Sequence, residues 1–358
     1  MTQLFTTLTS LQRLLVLASM MVVSLSASVQ AAQHVNVLLY HHVNADTPRS
    51  TSLSPKEFAA HMAYLHDQGY QVVDLAQAID SIKAGQELPD KSVAITFDDA
   101  WRSIYDNALP IMEKYEYPFT VFVNTDPIDE RNKMSMTWDM LRELKQRGGT
   151  LANHTSDHDY LVRKPDYSQD WLQSTLANIE SAQRRLEDET GTTPKWLAYP
   201  YGEYNLQLKQ ALRDLGYIAF GQQSGGIAAF SDWQALPRFP AAGPYSNLKT
   251  LKLKLASQPM PVDYQAFAET VIRIDQDGTN PPVLSVNMLN EERKGVRDQV
   301  RCFILGSAET PDWQDKQHWQ ISAAKALPAG RSRYNCTSPI WGQSNYYWLS
   351  QQWLIYQE

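Results

Sequence analysis

Two hydrophobic rhythms divide the chain. From Val35 to about Gly226, short apolar runs alternate with longer stretches in which apolar residues recur every three or four positions. The runs "VNVLLY" (35–40), "YQVV" (70–73), "SVAITF" (92–97), "FTVFVN" (119–124), "TLANH" (150–154), "KWLAYP" (195–200) and "YIAFGQ" (217–222) read as strands. Between them, 55–69, 75–85, 104–115, 138–148, 170–191 and 206–216 read as helices, with Pro110 bending or splitting the third. "SVAITF" does not alternate, which suits a strand buried on both faces. Repeated strand–helix units predict a parallel sheet with right-handed crossovers. An open doubly wound sheet and a closed barrel both fit, and both put function at the C-terminal ends of the strands.

Beyond Leu255 the helical period fades. "ETVIRI" (269–274), "PVLSVNML" (282–289), "RCFILGS" (301–307), "HWQISA" (318–323) and "YYWLSQQWLIY" (346–356) predict a small β-rich module, a sandwich, over 262–358. Five of the ten tryptophans lie in the last fifth of the chain. Core and edge packing is the expected reason, ahead of a sugar-stacking platform.

At the other end, Arg13 precedes the uncharged run "LLVLASMMVVSLSAS" (14–28) and then "VQA" (29–31). This is the pattern of a secretory signal peptide over 1–32, too short and too rich in serine for a spanning anchor. Export to the periplasm or beyond, with no stable membrane anchor after cleavage, is expected. In that oxidising setting the two cysteines, Cys302 and Cys336, are expected to form a disulfide. A net charge of -7 with no Lys/Arg-rich run gives no sign of a nucleic-acid partner, and oligomeric state has no signature.

The chemistry gathers at strand ends. "SVAITF" runs into Asp98 and Asp99, and adjacent carboxylates resist being ionised together unless something offsets their charge. After the strand "TLANH", His154 and His158 stand four apart, a spacing that brings two imidazoles to one ion on a helical turn or a tight loop. With one carboxylate they make three protein ligands, as in catalytic zinc sites that leave a fourth position open. Solvated loop histidines would explain the same pair.

"TFDD", "NHTSDH" and "YPYG" occur in that order, each after a strand, around "YDNALPIMEKYEYPFTVFV" and "MTWDMLREL". From about Val37 to Pro240 this resembles the NodB-type polysaccharide deacetylases, carbohydrate esterase family 4. The opening "LLYHHV" resembles the branch with periplasmic poly-N-acetylglucosamine deacetylases. The resemblance implies a distorted (β/α) barrel, here over 34–255. It makes Asp98 the general base and Asp99, His154 and His158 the ligands of a divalent metal, zinc before others. The oxyanion donor becomes the backbone N–H of Tyr201 in the "PYG" turn.

Two departures from the family pattern matter. Ala198 stands where the family has an arginine that orients the base; Arg238, in "LPRFP", is the candidate substitute. The late histidine that serves as general acid has no counterpart, and His41, at the end of the first strand, is the candidate in its place. "SDW" (231–233) reads as a loop, His61 as a packed histidine and His66 as a solvated one. The function expected is hydrolysis of N-acetyl groups on an amino-sugar polymer. An O-acetyl esterase on an acetylated polysaccharide and a catalytically silent sugar-binding protein are the rivals.

Overall fold

Strand β1 (His34–Tyr40) starts a parallel sheet, and β2 (Ser92–Asp98), β3 (Phe119–Val123), β4 (Gly149–Asn153), β5 (Trp196–Ala198) and β6 (Ile218–Phe220) follow it in chain order. The computed structural model describes residues 33–164, 166–274, 279–289 and 299–357. The export segment read at 1–32 lies outside them. A short strand, β7 (Gly226–Ala228), lies antiparallel on the free edge of β1. Leu236 then bridges to Phe220 on β6, while Phe239–Pro240 pairs in parallel with β1. The stretch 236–240 thereby spans the gap between the last and first parallel strands, and the sheet curls into a distorted (β/α) barrel.

Strand period decides what points inward. On β2, Val93, Ile95 and Phe97 pack in the cluster under the surrounding helices, whereas Ala94 joins Phe122, Ala152, Ala198, Phe220 and Leu236 in a second cluster inside the curl. A period of two then puts Asp98 on the inner side at the C-terminal end of β2, and His154 likewise one residue past β4. The helices are α1 (Pro55–Asp67), α2 (Leu75–Lys83), α3 (Trp138–Gln146), α4 (Gln169–Thr190) and α5 (Leu206–Asp214). Ser54 and Glu57 form a reciprocal capping box on α1. The helix expected at 104–115 is split, π-helical over Ile104–Ala108 and α-helical over Leu109–Glu113. Pro110 has no N–H to give the carbonyl four residues back, so the regular ladder cannot run through it.

The β-rich region holds β8 (Val271–Arg273), β9 (Val283–Asn287), β10 (Arg301–Ile304), β11 (His318–Ser322), β12 (Gly330–Pro339) and β13 (Tyr346–Tyr356). One sheet carries β13, β12 and β10, and a second carries β9 and β11. Leu284, Val286, Trp319 and Ile321 from the second pack with Cys302, Tyr334, Cys336 and Trp353 from the first, as in a sandwich. Cys302 and Cys336 are directly opposed on β10 and β12 and form a disulfide. Trp319 and Trp353 are buried in this core, while Trp341 is 82% exposed.

This region is packed against the barrel rather than tethered to it. Val271 of β8 and Leu354 of β13 join Leu197, Tyr199, Tyr204 and Leu208 in one apolar cluster. Trp348 meets Phe239 edge-on at 5.5 Å. Asn36 on β1 donates to the carbonyls of Leu255 (3.1 Å) and Ser257 (3.0 Å). No helix among the described residues is long and apolar enough to cross a membrane.

Candidate metal centre and catalytic cleft

Asp99 leaves the end of β2 in the left-handed region, at φ 74°, and Ala100 follows at φ 51°. Thr155 (φ 68°) and His158 (φ 59°) shape the second loop the same way. Such conformations are disfavoured for residues with a Cβ and persist where surrounding structure over-determines them. The second loop is held by its neighbours: Asn153 accepts from the Thr155 N–H at 2.7 Å, and Thr155 Oγ1 accepts from the His158 N–H at 3.0 Å. Asn178 of α4 takes the Ser156 N–H at 3.0 Å. The four-residue spacing of the histidines therefore closes through a tight loop, not a helical turn.

These loops bring Asp99, His154 and His158 together, with their ligand atoms all within 4.8 Å of one another. Asp99 Oδ1 lies 3.2 Å from His154 Nε2 and 3.3 Å from His158 Nε2. His154 Nδ1 sits 2.7 Å from the Ala198 carbonyl, which can only accept, so Nδ1 carries the proton. In the neutral ring Nε2 is then a bare lone pair aimed at a carboxylate oxygen. Neither atom has a hydrogen-bond partner, and both are buried. Two lone pairs facing each other repel unless a proton or a metal cation lies between them. Burial opposes protonation of His154, but Asp98 and Asp99 outweigh it and raise the ring's pKa, so the site attracts positive charge in either form. Zinc ligands about 2.0–2.1 Å from the ion in a tetrahedral array are about 3.3 Å apart, which matches the two measured separations. The donor set fits a divalent cation. Trp101 Nε1 donates to Asp99 Oδ2 at 2.9 Å, which orients the carboxylate and leaves Oδ1 for the ion.

Asp98 is fully buried beside this cluster. Arg238 Nη1 and Nη2 donate to its two oxygens at 2.7 and 2.9 Å, and Arg238 is itself fully buried. The arginine comes from the stretch that closes the barrel; Arg238 Nε is tied to the Gly221 carbonyl at 3.0 Å. Burial would push the Asp98 carboxyl up, but the guanidinium overrides it and holds the group below its ordinary range. Burial also opposes Asp99, and the surrounding histidines outweigh it in the same direction. His158 is pushed down to about 4, first by burial and then by His154, which keeps its ring neutral as a ligand must be.

His41 Nε2 is 4.0 Å from Asp98 Oδ2, and its side chain is partly exposed. His42 points elsewhere, stacked on Trp101 with ring centroids 4.3 Å apart. In the "PYG" turn, Tyr201 (φ 57°) and Gly202 (φ 72°) are both left-handed. A Cβ on Gly202 would come within 2.8 Å of the Gln222 backbone nitrogen, so the turn accepts only glycine there. The Tyr201 ring stacks on Tyr160 at 4.0 Å and meets His158 edge-on at 4.7 Å. Asp232 of the "SDW" stretch pairs with Lys209, and His61 is buried between Tyr40 and the Ser246 carbonyl; His66 is exposed.

The cluster opens into a cleft of about 660 Å³. His41, Asp99, His158 and Tyr201 line one side, and residues of the β-rich region line the other, among them Arg331, Arg333 and Asn335 of β12. Arg331 Nη1 donates to the Tyr201 carbonyl at 2.7 Å, and Gln352 Nε2 of β13 donates to the Gly202 carbonyl at 2.5 Å. Both peptide carbonyls of the turn are thus held from the β-rich region. The sequence reading finds none of these residues. The signal available was the alternation of "RYNC" toward Cys336.

Residues 85–220 match the profile of the family described as polysaccharide deacetylase. YxkH of Bacillus subtilis is 30% identical over 181 residues, 51% of this chain and 61% of that protein. The poly-beta-1,6-N-acetyl-D-glucosamine N-deacetylase of Escherichia coli K12 is 27% identical over 276 residues, 66% of this chain but 40% of that one. The chain therefore spans less than two thirds of either relative. The solved structure of IcaB from Ammonifex degensii superposes with a TM-score of 0.55 at 24% identity, covering 63% of this chain and 98% of that one, which shows a shared fold.

Proposed function

The chain carries a polysaccharide deacetylase domain of the NodB type, and on that premise we propose that it is an exported, zinc-dependent hydrolase that removes N-acetyl groups from an amino-sugar polymer. One observation carries this reading: three metal-type ligands gather beside a fully buried, arginine-paired aspartate, and two of them, Asp99 and His158, line one cleft. Export is supported by the signal-like segment 14–31 and agrees with the Cys302–Cys336 disulfide.

Asp99 Oδ1, His154 Nε2 and His158 Nε2 hold the ion. When bound, it supplies Lewis acidity toward the acetyl carbonyl oxygen and the attacking water. Asp98 is the base. Arg238 keeps it ionised despite its burial and fixes its plane, so a free lone pair can take the water proton as the new C–O bond forms. The Tyr201 N–H, in a turn whose flanking carbonyls are already engaged, donates to the developing oxyanion. Collapse breaks the C–N bond, and the leaving nitrogen must gain a proton. His41 delivers it from the rim of the cleft, in the place of the histidine that the family pattern has later in the chain. Acetate and a free amine result.

The relative from Escherichia coli makes β-1,6-linked N-acetylglucosamine oligomers the first substrate to try. Acetate and free amine should appear in equal amounts, stop with a chelator and return with zinc. O-acetylated xylan oligomers should release much less acetate. Release from the xylan alone would make the protein an esterase, and release from neither would favour a sugar-binding role.

A further inference from the structure

The cleft has two walls of different origin, and the β-rich wall carries one cation, Arg333, that no carboxylate among the described residues pairs with. On β12 the side chains alternate: Tyr334 and Cys336 enter the sandwich core, while Arg331, Arg333 and Asn335 line the cleft. The two arginines are not equivalent. Arg331 is engaged, bonded to the Tyr201 carbonyl and 3.5 Å from Glu203. Arg333 has no carboxylate within ion-pair distance among the described residues, and its Nε is buried with no hydrogen-bond partner. Among the described residues, no acid of the β-rich region lines the cleft, and the one acid that does, Asp99, faces the histidines. The neighbouring Lys254 brings no compensating negative charge. Lys254 is pushed down to about 7 by burial first and then by the charge of Arg333. A half-buried cation in this company is unusual for a chain of net charge -7, since burying an uncompensated charge is costly.

We infer that the β-rich region is the acid-recognising wall of this cleft, and that Arg333 binds an anionic group, a carboxylate or a phosphate, carried by the polymer beside the acetamido sugar. The guanidinium fork suits either oxyanion, with two parallel N–H donors. This rests on the deacetylase reading for the position of the acetamido sugar. It goes beyond that reading in giving the substrate a charge.

The test is direct binding to the zinc-loaded full chain carrying Asp98→Asn, so that ligand is not consumed. Three tetramers are compared by calorimetry: neutral β-1,6-linked N-acetylglucosamine, alternating N-acetylglucosamine and glucuronate, and the neutral tetramer bearing one phosphate monoester. At least one acidic tetramer should bind about tenfold or more tighter than the neutral one, the scale of a charge-assisted contact, and the winner identifies the acid. Arg333→Gln should remove that margin. Lys325→Gln, which deletes an exposed cation of the same region, should not. The inference is overturned if neither acidic tetramer outbinds the neutral one, or if Arg333→Gln weakens all three equally. Acetate release by the wild-type protein is scored separately. Its absence, with Arg333-dependent acid binding intact, would sink the deacetylase reading and leave this subsite standing.

Discussion

Arg238 and Asp98 are 140 residues apart in sequence and share a bidentate contact in the barrel interior. Ala198, at the end of β5, offers the site no guanidinium; its carbonyl instead fixes the His154 ring. Truncating Arg238 to Met leaves a carboxylate buried without its partner, which disfavours ionisation. Turnover should fall by about 100-fold, the scale of losing a general base, with bound metal retained. Arg238→Lys should recover part of it, because a point charge returns but the fork does not. Equal, near-wild-type rates in both variants would remove Arg238 from the reaction. A second residue gives a pH signature. Lys254 titrates near 7 when folded and near 10.5 when unfolded. Its folded value is depressed, so the unfolded chain binds the proton more tightly, and stability rises with pH across that window. Below about 7 the burial cost is fully present. The urea midpoint of the wild type should therefore gain on that of Lys254→Met between pH 7 and pH 9. A constant difference between the two would contradict it.

At the scale of elements, the turn of Tyr201 and Gly202 is held by one strand pair of the β-rich region. Arg331→Ala should lower kcat about tenfold with metal content unchanged, since small misplacements of a donor are expensive in rate; a change confined to KM would mean Arg331 only touches substrate. The strand that bears Arg331 is also the element the sequence conceals. The run "GRSRYNCTSP" (330–339) is too polar to read as a strand, because two of its buried positions are Ser332 and Ser338 rather than apolar residues, and Arg331, Arg333 and Asn335, alternating with the buried positions, line a cleft. By contrast, Asp98, Asp99 and His154 are legible because they end or directly follow apolar strands, so local period places them on the rim, and His158 because it stands four residues past His154. Arg238 was legible only as a candidate, since nothing local says that 236–240 closes the barrel. The histidine spacing left helix and loop equally open, and the left-handed residues that choose the loop, Thr155 and His158, have no sequence signature of that kind.

For the whole molecule, barrel and β-rich region share an apolar cluster and a cleft, so neither is independent in stability or in chemistry. A chain ended at Pro259 would uncover the surface that Val271 and Leu354 bury and release the turn that Arg331 and Gln352 hold. It should unfold at markedly lower urea than the full chain and lose activity even on short oligomers; full activity on a tetramer would show the region to be dispensable. The central claim, that Asp99, His154 and His158 hold the ion while Asp98 moves the proton, is tested most directly by measuring zinc content and acetate release on the same samples of wild type, Asp98→Asn and His154→Ala. The account predicts one zinc per chain and at least about 100-fold slower release for Asp98→Asn, and loss of both zinc and release for His154→Ala. A zinc-free Asp98→Asn, or a His154→Ala that keeps both its ion and its rate, would contradict it.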